Sequence, residues 1–293
     1  MMNNLGANYK IILEVLQKIS KNQLLPYQRR KPKLSDLELI SLNLTAEYMS
    51  IDSENDLFRK LPTFLSSKIE RSVYNKRKRK LAEYIEQVRA KLASTFNEFE
   101  DYFIVDSMPL EVCKTIRSVR SKICKETYYA FPDMGYCASQ KTKFYGYKLH
   151  AVCSIKGVFH SFDLTPASIH DIHYLKDIKQ QMRDCTIIAD KGYLSSEIQL
   201  NLFETCRIKL NVPMRRNQKN YKKQPFVFRK SRKRIETLFS QLCDQFMIRR
   251  NYAKSFEGFK TRIISKITAL TLIQYINQKI FNRNINNIKV KII

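Results

Sequence analysis

The chain has 293 residues, 44% hydrophobic and 27% charged, enough apolar content for one large domain with an appendage or for two domains, which excludes global disorder. Its 53 Lys and Arg against 27 Asp and Glu leave a formal charge of +26, far beyond what solubility needs, so a polyanion is the expected partner and nucleic acid the first choice. None of the six glycines forms G-x-G or G-x-x-x-x-G-K, which excludes a dinucleotide fingerprint and a phosphate-cradling loop and, with them, a nucleotide cofactor.

The opening stretch "MMNNLGANYKIILEVLQKIS" lacks the basic start, continuous apolar run and small-residue cleavage site of a secretory signal, so the chain is expected in the cytoplasm. Residues 1–97 read as a small all-helical domain. Apolar residues recur at helical spacing in "YKIILEVLQKIS", "LSDLELISLNLTAEYMS" and "KLAEYIEQVRAKLASTF". Ser35 followed by Glu38 predicts a capping box for the second helix. The basic run "YNKRKRK" (residues 74–80) precedes the third helix, either as its solvated start or as a phosphate contact. DNA binding is the role expected of this domain.

After "NEFEDY" the pattern turns to strands. "YFIVDSMPLEV", "FYGYKLHAVCS", "GVFHSFDLTP" and "CTIIADKGY" are short runs rich in β-branched and aromatic residues and bounded by turn formers, and "RIKLNVPMRR" reads as a fifth strand. The stretches "HDIHYLKDIKQQM" and "SSEIQLNLFETC" read as helices on either side of the fourth strand. Three strands followed by alternating helices and strands predict an α/β domain, a mixed sheet flanked by helices, over residues 98–285. Residues 286–293 read as a basic tail. The most apolar run, "IISKITALTLIQYI" (residues 263–276), is too short to span a bilayer and is interrupted by Lys266, so it reads as a buried helix and no membrane partner is expected. Seven cysteines without a C-x-x-C pair suit reduced thiols rather than a disulfide framework or zinc ribbon.

Three carboxylates stand out. Asp106 in "YFIVDSMPL" and Asp190 in "CTIIADKGYL" each end an apolar run that reads as a central strand, where an ionised group is costly unless it is paired or binds metal. Either acid alone could start a turn or cap a helix; acids at the ends of neighbouring strands converge where open α/β sheets bind ligands. Glu236 lies in "RKRIETLFSQLCDQFMIRR", a helix predicted to take Ser231 as its N-cap and to bury Ile235, Leu238, Phe239 and Leu242. That places Glu236 at the border of the apolar face, looking toward the sheet, or on the surface beside Arg232 and Lys233.

The motifs "VDSMPL", "YGYKLH", "TPASIHD", "ADKGY" and "SRKRIETLFSQL", in that order over about residues 101–275, resemble the DDE transposases of bacterial insertion sequences, most closely the family named after insertion sequence 982. The resemblance implies a ribonuclease H-like catalytic domain with Asp106, Asp190 and Glu236 as catalytic and metal-binding triad, holding Mg²⁺, or Mn²⁺ as a substitute, as two ions. It implies binding of the element's terminal inverted repeats, strand cleavage to a 3′-hydroxyl, and attack of that hydroxyl on target DNA. The partners implied are double-stranded DNA, element end and target, and a homodimer or larger assembly. The setting implied is a bacterial cytoplasm, on the nucleoid when bound. Arg232 matches the arginine of the Y-x2-R-x3-E-x6-K signature of related transposases; Arg229 stands at its tyrosine position and Cys243 at its lysine position. A structure-specific nuclease of the same fold and a catalytically inactive DNA-binding protein are the alternatives.

Residues 207–262 carry 17 Lys and Arg against three acids, positive charge of the kind a phosphate backbone needs beside acidic metal ligands. Arg215, Arg216, Arg229, Arg232 and Arg234 are its expected DNA contacts, and Tyr221 and Phe226 either stack on a base or anchor a loop. Lys191, directly after Asp190, and Lys148 and His150, alternating on one face of a strand, are further DNA-contact candidates. The grouping of His160, His170 and His173 with Asp163 and Asp171 lacks a fourth ligand at metal-site spacing, and reads as structural.

Overall fold

The computed structural model describes residues 4–20, 31–138, 140–215, 217–218 and 221–292. Helices come first: α1 (Leu5–Ile19), α2 (Asp36–Tyr48), α3 (Glu54–Lys60), α4 (Thr63–Ser66), α5 (Arg71–Lys80) and α6 (Ala82–Asn97). Then follow β1 (Tyr102–Cys113), β2 (Asp133–Cys137), β3 (Thr142–Ser154), β4 (Phe159–Pro166), α7 (Tyr174–Gln181), β5 (Thr186–Ile188), α8 (Ser196–Cys206), β6 (Lys209–Asn211), α9 (Phe226–Asp244) and α10 (Phe256–Lys279). None of the described helices is long and apolar enough to cross a membrane.

The chain divides into two compact units. One, the helical unit, gathers Met1–Thr95, Gln241–Asn251 and Glu257–Ile293; the other, the sheet unit, holds Phe96–Ser240 and Tyr252–Phe256. The sequence boundaries at 97/98 and 285/286 therefore do not mark the compact units, and the reason lies in α10. Ile263, Ile267, Leu270 and Ile273 are fully buried, and so are Ser265, Thr268 and Gln274 between them, so the helix is enclosed on every side. Its polar groups are met by α2: Asn43 donates to the Ser265 hydroxyl at 2.7 Å, and Lys266 lies 2.6 Å from Glu47 while donating to the Phe246 carbonyl at 2.7 Å. Residues 286–292, read as a basic tail, are anchored, since Ile288 and Ile292 are buried and the Ile292 N–H donates to the Tyr48 hydroxyl at 2.8 Å.

Within the helical unit α1 buries Leu5, Tyr9, Ile12 and Leu16, one stripe at helical spacing. The predicted capping box forms: the Glu38 N–H donates to the Ser35 hydroxyl at 3.2 Å and the Ser35 N–H to the Glu38 carboxylate at 2.7 Å. The basic run precedes α6 as read, and is itself helical, forming most of α5. Tyr74 is buried with its hydroxyl on Asn43, Lys78 pairs with Glu54 at 2.6 Å, and Arg77 pairs with Asp36 at 2.6 Å. Two of its cations are thus committed to internal carboxylates.

The sheet unit is built on a six-stranded mixed sheet of order β2-β3-β1-β5-β6, with β4 also paired to β3. β1 runs antiparallel to β3 and parallel to β5, and β5 runs parallel to β6. β2, absent from the sequence reading, and β4 share one edge of β3, β2 along residues 142–146 and β4 along 147–153. At the handover Gly146 has φ +159, and a Cβ there would stand 2.1 Å from the Leu110 carbonyl oxygen. Only glycine lets β1 and β3 approach so closely at the register shift between Glu111 and Cys113. Phe103, Val105, Ile187 and Ala189 on one face pack with Leu175 and Ile178 of α7 and Leu202 of α8. On the other face α9 lays Phe239 over Phe159, ring centroids 6.4 Å apart.

Lys266, 1% exposed, and Glu47, 7% exposed, test the helical unit. Lys266→Met leaves Glu47 buried and unpaired and should cost about 3–5 kcal/mol in denaturant melts, whereas adding Glu47→Leu should restore much of the loss.

Candidate active site

The parallel pairing of β1 with β5 ends at Ile104 opposite Ile188. Two residues further along each chain stand Asp106 and Asp190. Side chains alternate along a strand, so both acids share the face of Ile104 and Ile188, while Val105 and Ala189 between them turn into the core. The register brings the two carboxylates side by side at the end of the shared ladder.

Each is held first by main chain. The Ser107 N–H donates to Asp106 Oδ1 at 2.8 Å, and the Gly192 N–H to Asp190 Oδ1 at 2.7 Å. Asp190 therefore does cap the turn that follows it, as a lone aspartate there would, and still lies beside Asp106. Arg232 of α9 brings its guanidinium to 3.7 Å from Asp106 Oδ2. Burial pushes the Asp106 carboxyl up to about 6; the Ser107 N–H and Arg232 pull it down, and the charges of Asp190 and Asp171 raise it again.

Asp171 is the residue that sequence reasoning set aside. Its Oδ1 takes the Lys148 ammonium at 3.0 Å and lies 4.0 Å from His150 Nδ1; Lys148 also donates to the Ile169 carbonyl at 2.9 Å. His150 Nε2 meets the Thr165 hydroxyl at 2.8 Å, and its ring stacks on Tyr174 at 5.2 Å. Burial pushes the imidazole down to about 4 against the pull of Asp171, leaving it neutral at pH 7. Tyr193, fully buried, has a hydroxyl with no hydrogen-bond partner among the described residues; burial and then the charges of Asp171, Asp106 and Asp190 raise it well above the usual phenol range. The signal for Asp171 was its place in "TPASIHD" together with Lys148 and His150 alternating on β3. Two of the histidines grouped with it are otherwise engaged, His160 edge-on to Phe103 at 5.2 Å and His170 accepting the Ile172 N–H at 3.3 Å.

α9 begins at Phe226, six residues before the expected start at Arg232. Ser231 is inside it, its hydroxyl on the Val227 carbonyl at 2.9 Å, and is not an N-cap. The apolar face is as read, with Ile235, Leu238, Phe239 and Leu242 buried. Glu236 is exposed, one turn and about 6 Å along the helix from Arg232. Arg229 is exposed above the Phe226 ring at 5.8 Å, and Arg234 is half-buried, its charge reaching the buried Cys153 thiol. Lys191 and Arg215 are exposed, and Arg216 lies outside the described residues. His150 is fully buried and Lys148 is held by Asp171, so both act behind the surface.

Among the described residues no three His, Cys, Asp or Glu side chains come together as an ion-holding group. The donors at Asp106 and Asp190 are all oxygen, one of them with a proton affinity raised by burial and like charge. That chemistry fits a hard divalent cation, which would reverse the repulsion.

Asp190 stands just past the end of β5, as read, whereas Asp106 lies within β1, which continues to Cys113 because β3 pairs with it along that length. This acidic pair in a mixed sheet beside a strongly basic helix defines an acidic-centre α/β protein. Residues 97–272, more than half of the chain, match the family described as Transposase DDE domain. The chain belongs to that family, and with it carries a transposase function whose substrate is DNA. No curated protein and no solved structure matches the chain significantly.

The raised Asp106 carboxyl has a stability consequence. Its folded pKa stands above its ordinary 3.8, so the native state binds more protons between pH 4 and 6, and the contribution is full below pH 4 and lost as pH rises through 6. Asp106→Asn should match the wild type near pH 4 and exceed it by up to about 3 kcal/mol at pH 7 in urea melts without divalent ions.

Proposed function

We propose that the chain is the transposase of a bacterial insertion sequence, of the family named after insertion sequence 982, with a ribonuclease H-like catalytic fold. It recognises its element's terminal inverted repeats, cuts the DNA there and joins the freed 3′-hydroxyl to target DNA. The observation that carries this reading is the side-by-side placement of Asp106 and Asp190 inside the segment that matches the transposase family.

Asp106 and Asp190 are the residues that would hold Mg²⁺, with Glu236 as the third ligand and Mn²⁺ as a substitute, two ions in all. Bound there, such ions supply activation of the attacking oxygen and charge stabilisation at the leaving one. Support for Glu236 is its place on α9: it follows by one turn the arginine that meets Asp106. Arg232, Arg229, Arg234, Arg215, Arg216 and Lys191 supply phosphate contacts, and Lys148 and His150 steady Asp171 behind them. The N-terminal helices contribute DNA binding, and joining two element ends calls for a homodimer or larger assembly on DNA, in the cytoplasm and at the nucleoid.

Cleavage and joining of a labelled duplex carrying the element's end are measured with Mg²⁺ or EDTA. Wild type should give metal-dependent joined products. Glu236→Gln and Asp106→Asn should lose at least about a hundredfold in rate while still binding DNA. Cleavage without joining would make the enzyme a nuclease, full activity of Glu236→Gln would remove that residue from the chemistry, and binding without cleavage by wild type would leave a DNA-binding protein.

A further inference from the structure

Between β1 and β2 the sheet unit carries residues 114–130, "KTIRSVRSKICKETYYA", which the site described above does not use. We infer that this segment is a second DNA contact, one that receives unpaired or unstacked nucleotides. The inference rests on the reading of the chain as a DNA-processing enzyme.

The segment is well anchored. Cys124 is buried and donates its N–H to the Lys254 carbonyl at 2.8 Å, the Glu126 carboxylate accepts the Phe256 N–H, and the Tyr147 hydroxyl donates to the Ala130 carbonyl at 2.7 Å. Held this way, it still displays Ile116, Val119, Tyr128 and Tyr129, each between 83% and 91% exposed. Residues Thr115–Arg120 form a 3-10 turn with nothing buried. Residues three apart eclipse on such a turn, so Ile116 and Val119 project together.

The charge decides what covers this apolar surface. Lys114, Arg117, Arg120, Lys122 and Lys125 are all exposed, and none forms an ion pair among the described residues. The single acid, Glu126, is turned to the Phe256 N–H. Five exposed cations beside one engaged acid match a polyanion. A nucleic acid satisfies every element: phosphates for the five cations, base faces for the two tyrosines, and an opened base step for an aliphatic wedge of Ile116 and Val119. Base faces are free only where a duplex is frayed or flipped, so the segment selects unpaired nucleotides. β1 runs seven residues on from Asp106 to Cys113, so the segment leaves the sheet roughly 20 Å along the strand from Asp106.

Anisotropy titrations of the full chain without divalent ions would use a labelled 30-base-pair duplex and the same duplex carrying three central mismatches. Wild type should prefer the mismatched probe. Tyr128→Ala with Tyr129→Ala should bind that probe roughly tenfold or more weakly, with little change on the paired one. Arg117→Gln with Arg120→Gln should weaken both probes and lower the slope of log affinity against log salt by up to about 2. Unchanged affinity and preference in the tyrosine variant would overturn the inference. So would a shift in sedimentation without change in DNA affinity, which would assign the surface to a second protein chain. Failure of wild type to bind either probe would instead remove the DNA reading itself.

Discussion

Two negative charges that repel one another are fixed side by side by strand register, and the sheet unit is organised around that constraint. Parallel pairing of β1 with β5 brings Asp106 level with Asp190. A slip of one residue in either strand would turn one carboxylate into the core packed by α7 and α8 and bring Val105 or Ala189 to the acidic face. The large apolar side chains of Phe103, Val105 and Ile187 beneath the pair therefore do more than stabilise the sheet. They make the wrong register costly, because burying an unpaired carboxylate there would forfeit several kcal/mol.

Strand runs and their alternation were readable because each is local, whereas the end of β1 was not, since pairing with β3 carries that strand past Asp106 to Cys113. Five of the six strands, the Ser35–Glu38 box and the buried face of α9 follow from residues within a turn or two of one another. β2 was not readable: "DMGYC" is five residues on a sheet edge with a glycine in the middle, kept as a strand by the long partner β3. The start of α9 was misread because Ser231 is a good capping residue in isolation. Inside the helix its hydroxyl finds the Val227 carbonyl instead, the alternative open to any serine.

Features that depend on distant partners were out of reach. α10 follows the sheet elements in sequence but shares its core with helices some 220 residues earlier, through Asn43 to Ser265 and Glu47 to Lys266. An all-round apolar pattern says that a helix is enclosed, not by what. Asp171 was hidden for a related reason. Its neighbours in sequence, His170 and His173, suggested a metal cluster, whereas its neighbours in space are Lys148 and His150 of β3 and the hydroxyl of Tyr193. Where Asp171 meets Lys148 was set by the β3–β4 pairing and the turn after it.

The way the acids are satisfied explains how a chain of charge +26 keeps its cations for a substrate. Asp106 and Asp190 each take a main-chain N–H at under 3 Å, and the guanidinium nearest Asp106 stands off at 3.7 Å. Had tight arginine pairs neutralised them, cations and carboxylates would have cancelled within the site. Main-chain dipoles hold the carboxylates without adding net charge, so Asp106 keeps its raised proton affinity while Lys191, Arg229 and Arg215 stay exposed. In the helical unit the opposite arrangement holds. Arg77, Lys78, Arg262 and Lys266 are spent on Asp36, Glu54, Asp52 and Glu47 at 2.6–3.0 Å, where charge serves packing. Cations are thus used in two ways, in buried pairs such as Lys266 with Glu47 and Lys148 with Asp171 and as exposed charges such as Lys191, Arg215 and Arg229, a difference that composition alone does not reveal.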